Sequence, residues 1–149
     1  MITLEFDLGP DAYDKGHFVY VWLNGDLDPI YVGETAQSPA DRCGLHIRDQ
    51  LRSGAIVGKH IAANLRQHYR VLAFPASIDL LETIATENGS SSNAAALKRA
   101  RQALERAVYD TLKAKYASLK KAKGCSWTAR AGATFGASIL RAVSTEAPK

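Results

Sequence analysis

Apolar positions divide the first third of the chain into two strands and a helix. Phe18, Tyr20 and Trp22 alternate with Val19, Val21 and Leu23, so residues 17–23 form a strand that is apolar on both faces. A strand of that kind belongs at the centre of a sheet. Asn24-Gly25-Asp26 is a hairpin-type turn signal, and Pro29 makes the connection longer than two residues. Residues 30–33 read as the partner strand. Ser38-Pro39-Ala40-Asp41 then opens a helix, with Ser38 as N-cap, Pro39 at the first helical position and Asp41 near the positive helix end. Ile47 and Leu51 supply part of its buried face, and Ser53-Gly54 ends it.

The pattern continues with a second amphipathic segment over 56–68, Ile61 and Leu65 facing inward. A third strand follows over 69–74, stopped by Pro75, then a short helix over 78–86. Residues 88–93, Asn-Gly-Ser-Ser-Ser-Asn, form a loop. A long helix is expected from Ala94 to about residue 121, with Ala100, Leu104, Val108, Leu112 and Leu119 as its apolar stripe and Gly124 closing it. The tail carries Trp127, Phe135, Ile139 and Leu140 and is apolar enough to pack back. These elements predict an α/β fold with a small three-stranded, mostly antiparallel sheet flanked by helices. The expected organisation is an N-terminal extension over 1–16, one domain over 17–123 and a C-terminal tail over 124–149.

At 149 residues with 46% hydrophobic and 23% charged positions, the chain is long enough for one well-buried core. No apolar run approaches the ~20 residues that cross a bilayer, so no membrane partner is expected. The N-terminus carries Glu5 and Asp7 where a signal peptide carries bases. Cys43 and Cys125 lack zinc-type spacing and read as reduced thiols, which points to a cytoplasmic, intracellular protein.

The net charge of +4 is unevenly distributed. Between residues 98 and 123 there are nine bases against two acids, Glu105 and Asp110, so this stretch carries +7 and the remainder −3. A basic segment on a nearly neutral body points to a polyanion such as nucleic acid; a solvated helix face accounts for it equally well.

The residues able to do chemistry each have a plain structural reading too. Tyr20 and Tyr31 make a cross-strand aromatic pair, and Arg42 and His46 share a helix face at i and i+4. Glu105 borders the apolar stripe, where a carboxylate is paired, metal-bound or half exposed; a surface ion pair with Arg101 or Arg106 would also explain it. Taken together they match phosphodiester hydrolysis. That reaction needs a cation on the phosphate, a proton acceptor for water and help for the leaving oxygen. A tyrosine base would need its hydroxyl acidified by nearby positive charge, from Arg42 or a metal.

In order and spacing this set resembles the GIY-YIG nucleases, metal-dependent endonucleases named for two short strand motifs. Phe18-Val19-Tyr20 matches the first motif with Phe18 in place of its glycine, and Tyr31-Val32-Gly33 matches the second in full. Arg42 falls eleven residues after Tyr31, and His46 follows by four, as in the family's first helix. Leu104-Glu105, with Tyr116 eleven residues on, resembles the metal-binding helix of the excision-repair members; Glu82 is the other carboxylate that follows the third strand. Ala117 stands where those members place an asparagine.

The resemblance implies hydrolysis of DNA phosphodiester bonds with one Mg²⁺ or Mn²⁺ held by Glu105. Arg42 would neutralise the scissile phosphate, Tyr20 or His46 would activate or orient water, Tyr31 would support the site, and Gly33 would permit close packing. Lys98, Arg101, Lys113, Lys120 and Lys121 would track the nucleic-acid backbone. Cutting both strands of a duplex needs two sites, which a homodimer would supply. A catalytically inactive nucleic-acid-binding module is the alternative, and a protein-interaction domain a third.

Overall fold

The structure, a computed structural model, describes residues 7–48, 56–64, 67–120 and 124–146. Among them a three-stranded sheet is formed by β1 (Phe18–Leu23), β2 (Pro29–Thr35) and β3 (Arg70–Pro75), in the order β2-β1-β3. Both pairings are antiparallel. β1 is buried along its whole length, as its two apolar faces require of a central strand. Asn24 shapes the hairpin to β2: its Oδ1 accepts from the backbone N–H of Asp26 and of Asp28, and its carbonyl accepts from Leu27. Leu27 then takes the left-handed conformation that closes a loop longer than two residues (φ 63°).

The alternation along β1 sorts the helices into two layers. Val19, Val21, Leu23 and Val32 form one face, packed with α3 (Ile78–Glu87), α4 (Ala94–Lys113) and α5 (Ala133–Glu146) through Leu81, Ile84, Leu104, Val108, Ile139 and Val143. Tyr20, Trp22 and Ile30 form the other, covered by Val57 of α2 (Ile56–Ala63) and by Cys43 and Ile47 of α1 (Pro39–Arg48). The second layer is thin and rich in polar-tipped rings, and the candidate chemistry collects there. Leu51, Ser53, Gly54 and Leu65, expected in the two helices of this layer, lie outside the described residues.

α1 starts as its sequence predicts. Ser38 Oγ accepts from the Asp41 N–H (3.2 Å) and donates to the Asp41 carboxylate (2.8 Å). This cap sets Arg42 in the first turn and His46 one turn later, both toward the sheet.

α4 departs from expectation: it ends at Lys113, not near residue 121. The residues beyond are compatible with helix, so propensity does not stop it. Lys113 Nζ turns back to donate to the carbonyls of Ala117 (2.6 Å) and Leu119 (3.1 Å), and Leu119 is drawn into the core. The Lys120 N–H then bonds the carbonyl of Ile30 on β2 (3.1 Å). Tyr116 therefore lies off the helix that carries Glu105, and Gly124 is not its terminator. Among the described residues no helix is long and apolar enough to cross a membrane.

Candidate active site

The pairing register explains how Tyr20 reaches the site. Tyr20 of β1 faces Gly33 of β2, while Tyr31 faces Trp22. The two tyrosines are thus diagonal neighbours, with ring centroids 6.3 Å apart. The Tyr20 ring lies across Gly33 so closely that a Cβ there would sit 2.3 Å from its hydroxyl oxygen. Only glycine leaves that path open.

Two groups meet the Tyr20 oxygen. It shares a 2.7 Å hydrogen bond with Nε2 of His46 and accepts from Nε–H of Arg42 (3.1 Å). His46 is buried and stands edge-on to Tyr20, Trp22 and Tyr31, at centroid distances of 5.7, 6.0 and 5.5 Å. Those contacts fix its ring plane. Arg42 is half-buried. Burial opposes its charge, but the hydroxyls of Tyr20 and Tyr31 and the charge of Glu34 outweigh that, so its pKa is raised.

Glu105 belongs to α4, in the helix layer on the other face of the sheet, and acts on both Tyr20 and Tyr31 through its charge. It is only 7% exposed. The two arginines offered by sequence as its surface partners are engaged with other carboxylates. Arg101 pairs with Glu34 and Arg106 with Asp110. Glu82 lies elsewhere, on α3 with Asp79 and Glu87, and accepts from Ser92 Oγ (2.8 Å). The structure therefore brings Tyr20, Arg42 and His46 into contact with Tyr31 alongside, sets Glu105 within electrostatic reach of both tyrosines, and leaves Glu82 out.

The tyrosine hydroxyls run against one expectation. Burial raises Tyr20 well above its ordinary value of 10.0, with help from Tyr31 and Glu105, and the opposing pull of Arg42 is the weaker effect. Tyr31 is pushed up to about 12, first by burial and then by Glu105. Arg42 does not acidify either ring enough, so both are neutral hydroxyls at physiological pH.

The basic residues separate into distinct roles. Lys98 and Lys120 are exposed, and Lys120 sits at the open edge of β2 beside Tyr31. Lys113 is exposed but engaged with two carbonyls. Lys121 lies outside the described residues. Arg101 is a correction: it is 7% exposed, donates to Glu34 Oε2 (2.7 Å) and contacts His17 Nδ1 (2.9 Å), so it does not track a backbone in solvent.

Glu34 and His17 were not singled out by sequence reasoning. A signal for Glu34 existed: strand alternation puts it on the same face as Val32, where a lone acid needs a buried partner. His17 is held neutral, its pKa lowered by burial and by Arg101. Cys43, beside Arg42, is pushed up to about 11 by burial and is an inert thiol. No protein-family model, no curated protein and no solved structure matches this chain.

Proposed function

We propose that this protein is a metal-dependent endonuclease of the GIY-YIG type, hydrolysing DNA phosphodiester bonds. The observation that carries the reading is the meeting of Arg42 and His46 on the Tyr20 hydroxyl beside the Tyr31 ring, with the charge of Glu105 acting on both rings. Ordinary core packing needs no arginine and histidine at one buried hydroxyl with a buried carboxylate acting on the same ring, because each costs desolvation.

The donor set fits Mg²⁺ or Mn²⁺. These ions bind through one or two carboxylates and leave the rest of their shell to water and substrate phosphate. Glu105 is such a carboxylate, and among the described residues no group of three His, Cys, Asp or Glu side chains gathers into a fuller cage. When bound there, the ion supplies positive charge that offsets the charge developing on the phosphate and its oxygens.

The chain's own residues do the rest. Arg42 uses Nε–H on Tyr20, and its other N–H groups meet phosphate oxygens. Arg42 donates to one lone pair of the Tyr20 oxygen; in the proposed arrangement the Tyr20 proton points at His46 Nε2, which requires the Nδ1–H tautomer, and the second lone pair faces the water. Tyr20 orients the attacking water as a neutral hydroxyl, and His46 takes the proton through it. In the metal-free protein burial raises the Tyr20 pKa, which favours this division over a free phenolate. Lys98 and Lys120 give sequence-independent affinity for the backbone.

Incubating supercoiled plasmid with Mg²⁺ or Mn²⁺ tests the reading directly. Wild type is expected to nick, EDTA to stop it, and Glu105→Ala to abolish it. Equal nicking by wild type and Glu105→Ala removes Glu105 as the ligand. Salt-dependent DNA binding without nicking by either would favour the inactive binding module, for which Ala117 in place of the family asparagine is the motivating feature.

A further inference from the structure

We propose that Arg101 is a positioning residue for the site: by bridging Glu34 of β2 and His17 ahead of β1, it fixes the rotation of α4 that presents Glu105 to the two tyrosines. The proposal rests on the nuclease reading and deepens it. Arg101 and Glu105 are four residues apart on α4, hence on one face of the helix, and both are 7% exposed. The Arg101–Glu34 pair has side-chain exposures of 8% and 16% and a separation of 2.7 Å. Its partner strand carries Tyr31 and Gly33 immediately before Glu34, so one ion pair ties the carboxylate helix to the tyrosine strand.

Stability is a poor reason for this pair, since apolar residues of similar volume serve a core as well or better. Geometry is a better one. A planar guanidinium donates in fixed directions, here to a carboxylate on one side and an imidazole nitrogen on the other. The Glu34 charge also acts on Arg42 and Tyr31, so the pair links α4 to the electrostatics of the site.

The test compares wild type, Arg101→Met, Arg101→Lys and Glu34→Gln by Mn²⁺ binding in electron paramagnetic resonance, by kcat and KM on plasmid, and by thermal unfolding. Residues that orient a metal ligand typically change affinity or activity ~10–100-fold when replaced. Arg101→Met is expected to weaken Mn²⁺ binding and lower kcat within that range, with KM for DNA and its salt dependence unchanged. Arg101→Lys, which keeps the charge but not the fork, is expected to recover only part. Glu34→Gln, close in volume and still an acceptor, shifts both readouts the same way and carries the test if Arg101→Met fails to fold. Wild-type Mn²⁺ affinity and kcat in the folded variants would overturn the proposal. So would a raised KM with a smaller salt slope at unchanged kcat, which would make Arg101 a phosphate contact. If wild type neither nicks nor binds Mn²⁺, the nuclease reading itself falls, and this inference with it.

Discussion

Replacing Gly33 with alanine places a Cβ 2.3 Å from the Tyr20 hydroxyl oxygen, 2.4 Å from Cζ and 2.8 Å from Cε2. Ordinary carbon contacts need ~3.5–4.0 Å, so the ring must retreat by about 1 Å or more. It has nowhere easy to go, being 1% exposed and hemmed in by Tyr31 and His46. Overpacking of this kind costs about 1–3 kcal/mol. Disturbing the bonds to Arg42 and His46 adds about 0.5–1.5 kcal/mol for the neutral bond and about 1.5–3 for the charged one, if fully lost. Reduced freedom of the unfolded chain returns about 0.4–1 kcal/mol.

Partial loss of the bonds then gives a net destabilisation of about 2–4 kcal/mol, a fall in Tm of roughly 5–15 °C at this chain length. Gly44→Ala, in mid-helix where a Cβ meets nothing within 4 Å, should instead raise stability by about 0.5–1 kcal/mol. Because Cζ and Cε2 also clash, Tyr20→Phe should not rescue Gly33→Ala, whereas Tyr20→Leu should. Calorimetric melts of these variants decide the matter. A Gly33→Ala Tm within about 2 °C of wild type would refute the packing of Tyr20 over Gly33.

Two further outcomes follow from the same geometry. Tyr31 is pushed to about 12 from 10.0 by burial and Glu105, Cys43 to about 11 from 9.0 by burial, and Tyr20 well above 10.0 by burial and Tyr31. The folded chain therefore holds more protons than the unfolded one between about pH 9 and 12, so stability is full below that window and declines through it. Tyr31 alone contributes about 3 kcal/mol; urea unfolding at pH 8 and pH 11 measures the decline, and unchanged or rising stability contradicts it. Lys98→Ala and Lys120→Ala should each reduce the slope of log affinity against log salt by about 0.9 for duplex DNA, with an unchanged slope removing that lysine from the interface.

Much of the scaffold is legible in the sequence because it rests on local rules. The double-sided apolarity of residues 18–23 gives the central strand, and the Ser38 cap gives the start of α1. The end of α4 is not legible, because Lys113 capping and Leu119 burial are tertiary events that override helix-compatible residues. Arg101 shows why charge counting misleads. Composition registers a base but not the Glu34 opposite it, which lies 67 positions away in the chain. The meeting of Tyr20, Arg42 and His46 follows from their order along the chain, whereas the raised pKa of Tyr20 depends on burial that only the assembled layers create.

The central claim is that Glu105 and the two tyrosines form one metal-dependent site. Soaking crystals of the protein in Mn²⁺ and locating the ion by anomalous scattering tests it most directly. The account predicts a peak ~2.0–2.6 Å from a Glu105 carboxylate oxygen, beside Tyr20 and Tyr31. A peak more than about 6 Å from Glu105, beyond any direct ligand distance, would contradict it.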